Sequence, residues 1–528
     1  MRHLRQLVRL KVNMYMRQSL RLKSTIWLLS MFIVSSLVDL PLATASQLAH
    51  SMIAVTVPPG GVASTATLNS TSCFSTVSCV SVGSYLLATG GTAPLVVVSM
   101  RGVETTTVRA PTPIASASTE MAQFSGISCV SANWCLAVGQ FKSMSGPTIG
   151  FAEVGPPTSL TEISFPTINN VGSFGPWLSG VDCWSTNNCV VVGGYTDGTL
   201  HSNPILARLT ATNTWAPVVT VLTFPTGISA SSVNLTSVSC WASGACLLGG
   251  SYFTSTPVKT TTAFSERLTN GVLSSTTAMV SAASTYFNSL ETELSCTSST
   301  ICESVVTLPG ASSSFPFIQN LNGLAWTPQH GVPVPSDAFN VAHSYNYASF
   351  INCFAAFDCM IGGGYVTDRV ALGSQEPYLV TYLGILGQGP NSSVGLTAPV
   401  PIGQMPSAVS GGCTYTGVCA LVANDSGGAV IATGFASPGQ PINIATKSKS
   451  TTTAQVTWKT PTLVGSGVSG YEVIVVHGTT MIHKYTVGRI TSYLIKGLKA
   501  KQHYTIQITT HSTDGGVSTT ASSTVLTL

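Results

Sequence analysis

The sequence predicts an all-β protein made of seven repeated four-stranded units, with a smaller β-sandwich behind them. Three observations carry that expectation. A C-x5-C pair occurs seven times, as Cys73/Cys79, Cys129/Cys135, Cys183/Cys189, Cys240/Cys246, Cys296/Cys302, Cys353/Cys359 and Cys413/Cys419, and these pairs use all 14 cysteines. The first cysteines recur every 54–60 residues, a period typical of propellers and solenoids. Only 8% of residues are charged, against about 25% in ordinary soluble domains. Ser, Thr, Gly and Asn supply the polarity instead, which suits an extracellular β protein.

Each unit opens with an apolar residue five before the first cysteine (Leu68, Phe124, Leu178, Leu235) and a short β-prone run. Five loop residues follow, and the second cysteine begins a strongly apolar stretch such as Cys189-Val-Val-Val192. An apolar run longer than strict alternation reads as a strand buried on both faces. Cysteines six apart across such a loop can face each other in an antiparallel hairpin, each bridge contributing roughly 2 kcal/mol by chain entropy. Four residues past the second cysteine stands a glycine in five units (Gly83, Gly139, Gly193, Gly250, Gly363), and two further on an aromatic (Tyr85, Phe141, Tyr195, Tyr252, Tyr365). Units five and seven depart, with Val306/Leu308 and Ala423/Asp425. A glycine there points to a bulge or a close backbone approach. Two more strands complete each unit, for example Pro204–Leu209 and Trp215–Thr220, joined by turn-forming residues. Four strands per unit is the content of one propeller blade, so residues 46–436 are expected to form a seven-bladed β-propeller. The seventh unit ends early, after Gly428–Gly434, and an orphan strand at Met52–Val57 is expected to pair there and close the ring.

The two ends read differently. Seven basic residues precede the apolar run Ile26–Val38, and Ala43-Thr44-Ala45 offers a cleavage site, so residues 1–45 read as a signal peptide. That run is short of the roughly 20 residues a spanning helix needs. The mature chain is therefore expected outside the cell, with membrane association only where the N-terminal segment stays uncleaved. Paired cysteines agree with export. Residues 437–440 read as a linker, and from 441 the cysteines stop. Strand-like runs Ala454–Trp458, Val468–Val473, Ser492–Leu498 and Tyr504–Ile508 stand at sandwich spacing. Residues 441–528 closely resemble a fibronectin type III domain. The resemblance implies that Trp458 and Tyr471 pack in its core and that Leu498 and Tyr504 form a tyrosine corner. Ala500 stands where the family often has Pro, and Arg-Gly-Asp is absent. The seven units resemble, more loosely, Cys-paired, YVTN-like and sialidase-like propellers of secreted bacterial proteins, which implies the propeller and leaves the ligand open.

Chemical motifs are sparse. The segments 1–45, 46–436 and 437–528 carry net charges of +6, −8 and +6, so the repeats lack a nucleic-acid footprint. The lysines of the last segment, spread along strands, read as a solvated face. No metalloprotease, P-loop, nucleophile-elbow or C-x-x-C motif occurs, and the sialidase boxes are missing. No acid recurs at one repeat position, so no metal and no cofactor is expected. Asp182 and Asp358 each adjoin a clasp cysteine. A glycosidase would need such carboxyls about 5–10 Å apart, while the plainer reading is that each caps its hairpin. His503 and His511 read as surface residues. The loop aromatics Phe74, Trp134, Trp184, Trp241, Phe354, Phe357 and Tyr415 should emerge on one face, able to stack on sugars or anchor a protein. The plainer reading is that each covers its own disulfide and the neighbouring unit. The chain is thus expected to be a secreted, non-catalytic binding or adhesion protein for an extracellular glycan or cell-surface protein, with the type III module as spacer or partner module. The alternatives are an extracellular polysaccharide-acting glycosidase or its accessory carbohydrate-binding protein, and a structural cell-surface component.

Overall fold

The computed structural model describes residues 53–528 apart from loop segments, the longer ones being 112–119, 225–231, 284–290, 333–346, 366–375, 384–393 and 396–408. The expected signal peptide lies outside the described residues. Among those described there are strands and no helix.

All seven C-x5-C pairs are disulfides: Cys73–Cys79, Cys129–Cys135, Cys183–Cys189, Cys240–Cys246, Cys296–Cys302, Cys353–Cys359 and Cys413–Cys419, with Cα–Cα distances of 3.9–4.1 Å. No cysteine is left free. Each bridge joins directly opposed residues of an antiparallel pair, as in Cys183↔Cys189 and Cys240↔Cys246. The two halves of a bridge are not equivalent. The second cysteines, Cys79, Cys135, Cys189, Cys246, Cys302, Cys359 and Cys419, are all but fully enclosed, whereas Cys73, Cys240, Cys296 and Cys353 are half-buried. The difference follows from the strands: the second cysteine opens the apolar middle strand, which is covered on both faces. A register shift past the first cysteine leaves two residues at the tip in the third and fourth repeats. The second of these, Asn187 or Gly244, has positive φ, as a tight hairpin turn requires.

Six repeats are antiparallel units built on four consecutive strands, the third running Trp177–Ser185, Asn188–Thr196, Ser202–Ala211, Thr214–Trp215; the fourth and fifth add a fifth strand, Thr277–Ala283 and His330–Gly331, on their third strands. A single parallel bridge, Thr92↔Met121, links the first two repeats. The seventh contributes three strands, and its fourth is Ile53–Ala54, which pairs antiparallel through Ile53↔Ile431 and Ala54↔Val430. The pairing expected of the orphan N-terminal strand is therefore present, shorter than the sequence run. The first strand of each repeat lies against the first strand of the next, and that of the seventh against that of the first. The seven sheets are not hydrogen-bonded into one closed sheet.

The repeated glycine has a single cause. The first strand carries a bulge five to three residues before its cysteine, for instance between Phe124 and Gly126, which pushes a carbonyl toward the second strand. A Cβ on Gly83, Gly139, Gly193 or Gly250 would lie 1.8–2.1 Å from the carbonyl oxygen of Thr67, Gln123, Trp177 or Asn234. The aromatics two residues on, Tyr85, Phe141, Tyr195 and Tyr252, are buried. Cores form between repeats: one cluster combines Val190, Val192 and Leu206 of the third with Leu235, Leu248 and Phe264 of the fourth. The middle strands are apolar on both faces because each repeat is covered on both sides.

Residues 442–526 form two sheets. Strands Ile442–Ser450, Thr453–Lys459 and Ser492–Lys496 make one, and Thr480–Val487, Val468–His477, His503–Ser512 and Ala521–Leu526 the other. Trp458 and Tyr471 are buried edge-to-face, with ring centroids 5.2 Å apart. The Tyr504 hydroxyl accepts the Lys499 N–H at 2.9 Å, beside buried Leu498, as the tyrosine corner implied. His503 is exposed, but His511 is half-buried, with Nε2 enclosed and unpartnered among the described residues.

Candidate binding site at the central cavity

The residue just before each first cysteine is short and polar in six repeats: Ser72, Ser128, Asp182, Ser239, Ser295 and Asn352. Each accepts the N–H of the next repeat's first cysteine. The bonds run from Cys129 to Ser72 (3.0 Å), Cys183 to Ser128 (3.1 Å), Cys240 to Asp182 (2.7 Å), Cys296 to Ser239 (2.9 Å), Cys353 to Ser295 (2.8 Å) and Cys413 to Asn352 (2.9 Å). A second row runs the other way, with Asn69, Ser125 and Thr236 donating to the carbonyls of Phe124, Leu178 and Thr292. The seventh junction has Gly412 and so lacks the side-chain acceptor. It is closed by Asn424, whose Oδ1 accepts the Leu68 N–H at 2.7 Å and whose Nδ2 donates to the Leu68 carbonyl at 3.0 Å. A short polar residue recurring just before the first cysteine is the sequence signal of these junctions.

The same first strands from all seven repeats line one cavity of about 350 Å³. Its wall is mainly hydroxyl, amide and backbone, with two acids, Asp182 and Glu293. The disulfides reach it from one side only. Cys73, Cys129, Cys183 and Cys413 border the cavity, while their partners Cys79, Cys135, Cys189 and Cys419 lie back from it. Cys302 and Cys359 likewise stand away from the cavity, in the cores between repeats. Asp182 is committed to structure: besides the Cys240 N–H it takes the Cys183 N–H at 2.8 Å and the Ser128 hydroxyl at 3.2 Å. Desolvation pushes its carboxyl up to about 6, against the opposing pull of those three bonds. Asp182 therefore does not cap its own hairpin loop, as the plainer sequence reading had it; its carboxylate joins three successive repeats at their first strands. Asp358 begins the second strand of its hairpin, a different repeat position, and its side chain lies outside the described residues.

The loop aromatics are placed as follows. Phe74, Trp134, Trp184 and Trp241 are half-buried, each packed on the core shared with the next repeat. The Arg267 guanidinium stands 5.7 Å over the Trp241 ring and donates to the Gly323 carbonyl at 2.9 Å. Tyr415, Phe357 and the Phe354 side chain lie outside the described residues. The rings brought into view thus serve first as inter-repeat packing.

Three glutamates are fully enclosed: Glu153 and Glu266, among the few acids notable in the sequence, and Glu303, with no partner for either oxygen among the described residues. Burial pushes them up to about 8, about 7 and about 8, Glu162 adding to the shift of Glu153. They occupy the second, fourth and fifth repeats. Exposed Asp197 is held well below the usual carboxylate range by the Thr199 hydroxyl and Asn203 amide in a local turn. No cluster of three metal-ligating side chains occurs among the described residues.

A further cavity of about 540 Å³ lies at the outer edge of the third repeat, lined by Tyr195, Trp215, Pro166, Pro217, Thr167 and Thr220 among others. The Trp215 indole N–H is buried there without a partner among the described residues, and Phe165 meets the ring edge-on at 5.1 Å.

Comparison with known proteins bears on the last segment. Residues 438–525 match the Fibronectin type III domain. Similar solved structures include the FN5 domain of Drosophila Lar, 22% identical over 17% of this chain and 96% of that one, TM-score 0.15. A redesigned β-sandwich protein is 26% identical over 17% of this chain and 93% of that one, TM-score 0.15. Rat CD45 domains d3–d4 are 15% identical over 19% and 54%, TM-score 0.18. No curated protein matches the chain. This type III module and seven disulfides suit an extracellular protein.

Proposed function

We propose that this chain is a secreted, non-catalytic binding protein in which residues 46–436 form a seven-bladed β-propeller. The cycle of first-strand contacts, the hydrogen bonds at successive junctions and the N-terminal strand completing the seventh sheet support the propeller reading. One observation carries the binding reading. Asp182 is engaged by three hydrogen bonds, and Glu153, Glu266 and Glu303 are enclosed in three different repeats, away from solvent. A glycosidase pair needs two carboxyls facing one bond.

The ligand class that fits is a neutral extracellular glycan. Aromatic faces stack on sugar rings and hydroxyls orient them, and the Tyr195–Trp215 cavity combines both with an unused indole donor. A glycan array on the full chain tests this, with Trp215→Ala compared against Trp184→Ala/Trp241→Ala. Binding lost in Trp215→Ala alone supports the outer cavity, and binding lost only in the double variant returns the site to the clasp loops. No binding by a folded chain turns the search to cell-surface proteins.

A further inference from the structure

The strand register of residues 442–496 gathers lysines that look scattered in the sequence. In strand Ile442–Ser450 the inward-facing Thr446 and Ser448 hydroxyls bond the Thr524 carbonyl and the Leu528 N–H. This leaves Lys447 and Lys449 exposed on the outer face. Across the sheet Lys447 pairs with Gln455, which pairs with Leu494, and Lys496 pairs with Thr453 at the row Lys449 adjoins. Alternate residues are about 6.8 Å apart along a strand and strands about 4.8 Å apart, so Lys447, Lys449 and Lys496 sit within roughly 10–15 Å of one another. The Leu498 N–H bonds the Thr452 carbonyl at 3.0 Å, bringing exposed Lys499 to the same corner. Lys459 stands at the far end of the middle strand. All five are exposed.

Among the described residues no carboxylate forms an ion pair with them. The segment's acids are Glu472 and Asp514. Glu472 lies in the other sheet, where it pairs with Lys484 at 2.8 Å, the sole ion pair among the described residues. Between its lysines the face carries Gln455, bonded to Ser492, Thr457 and the exposed Leu494. We propose that this outer sheet face binds a linear, carboxylated extracellular polysaccharide. Lysine is a compact point charge that does not fork a single carboxylate as arginine does. Several exposed lysines on one sheet face therefore suit many weak contacts along a uniformly charged polymer rather than one discrete anion. A second copy of the chain is a poorer occupant. The repeats' formal charge of −8 includes Glu153, Glu266 and Glu303, which are enclosed and unavailable at the surface. The proposal is independent of the neutral-glycan site at Trp215.

Retention of the full chain on immobilised polygalacturonate tests it, with dextran as the neutral arm and double-stranded DNA as a second polyanion. The expected result is retention on polygalacturonate, not dextran, that falls with added salt. Lys447→Gln/Lys449→Gln/Lys496→Gln should weaken it about tenfold, each exposed contact being worth about 2–5-fold. The charge-matched control Lys142→Gln/Lys484→Gln/Arg489→Gln should change it less than about twofold. An equal loss in the control, or DNA binding as tight as polygalacturonate, would reduce the effect to net charge and overturn the site. So would no retention at low salt by protein whose thermal midpoint is normal. Trp215→Ala should leave this binding untouched.

Discussion

Glu153, Glu266 and Glu303 predict that the folded chain is more stable in mild acid than at neutrality. An ordinary glutamate loses its proton near 4.5, whereas these three hold theirs to about 8, 7 and 8 because their enclosed carboxyls have no partner. Between those limits the folded state binds protons that the unfolded state has released, so unfolding free energy falls as pH rises. The stabilising contribution is complete below about 4.3 and is lost progressively up to about pH 7–8. One carboxyl contributes about 1.4 kcal/mol per pH unit and three at most about 4 kcal/mol per pH unit. Thermal unfolding should show a midpoint dropping by roughly 5–10 °C from pH 5 to pH 7. Glu153→Gln/Glu266→Gln/Glu303→Gln, isosteric and unable to ionise, should flatten that dependence, and Glu303→Gln alone should remove about a third of it. A flat wild-type profile, or an unchanged slope in the triple variant, would refute the reasoning.

Other consequences follow from single positions. Gly139→Ala drives a Cβ into the Gln123 carbonyl and should cost about 2–4 kcal/mol by denaturant titration; a neutral result would mean the bulge relaxes. Asp182→Ala strips the acceptor from the Cys240 N–H and leaves the Cys183 N–H to the Ser128 hydroxyl alone, and should cost about 1–3 kcal/mol. Asp182→Ser, the residue used at four other junctions, should recover about half of that in the same titration. Asn424→Ala removes both bonds to Leu68, and hydrogen exchange should then rise first at the junction of the seventh and first repeats. Cys183→Ser/Cys189→Ser should cost about 2 kcal/mol without changing the far-ultraviolet circular dichroism, since so short a loop constrains little of the unfolded chain.

Legibility in the sequence followed the type of interaction. The disulfide hairpins were readable because a C-x5-C pair can close only locally, and the Tyr504 corner because one residue, six past Leu498, does the bonding. The closing strand at Ile53–Ala54 was readable from a count of strands, the seventh repeat having only three. What stayed hidden depended on register between distant segments. Lys449 and Lys496 are 47 residues apart in sequence, and nothing local says that Thr453 lies between them. Glu153 gives no local sign of enclosure, because an acid in a strand ordinarily marks a solvent face, whereas this strand is covered both on the face Glu153 shares with Phe151 and on the Ala152 face. For the four described loop aromatics, the plainer of the two readings the sequence offered is the one seen, since a ring at the rim of one repeat has the core of the next repeat as its nearest partner.

The junction bonds also explain a composition that looked unusual for a chain of this size. Each repeat must be tied to its neighbours where the first strands converge, and the groups in reach there are backbone N–H and carbonyl groups. A serine or threonine hydroxyl matches either at little desolvation cost, while an ionised side chain would have to shed its hydration. Asp182 shows that cost in its raised proton affinity even with three hydrogen bonds. Abundant hydroxyls and 8% charge are therefore what repeats joined through neutral contacts require. Charge is then free to serve elsewhere, and it is densest among the described residues on the type III module, where the lysines are tied to no partner in the fold of their own sheet. A fold held by neutral bonds and a face built of unopposed cations respond differently to salt, so added salt should leave the fold's stability nearly unchanged while releasing whatever polyanion the lysines hold.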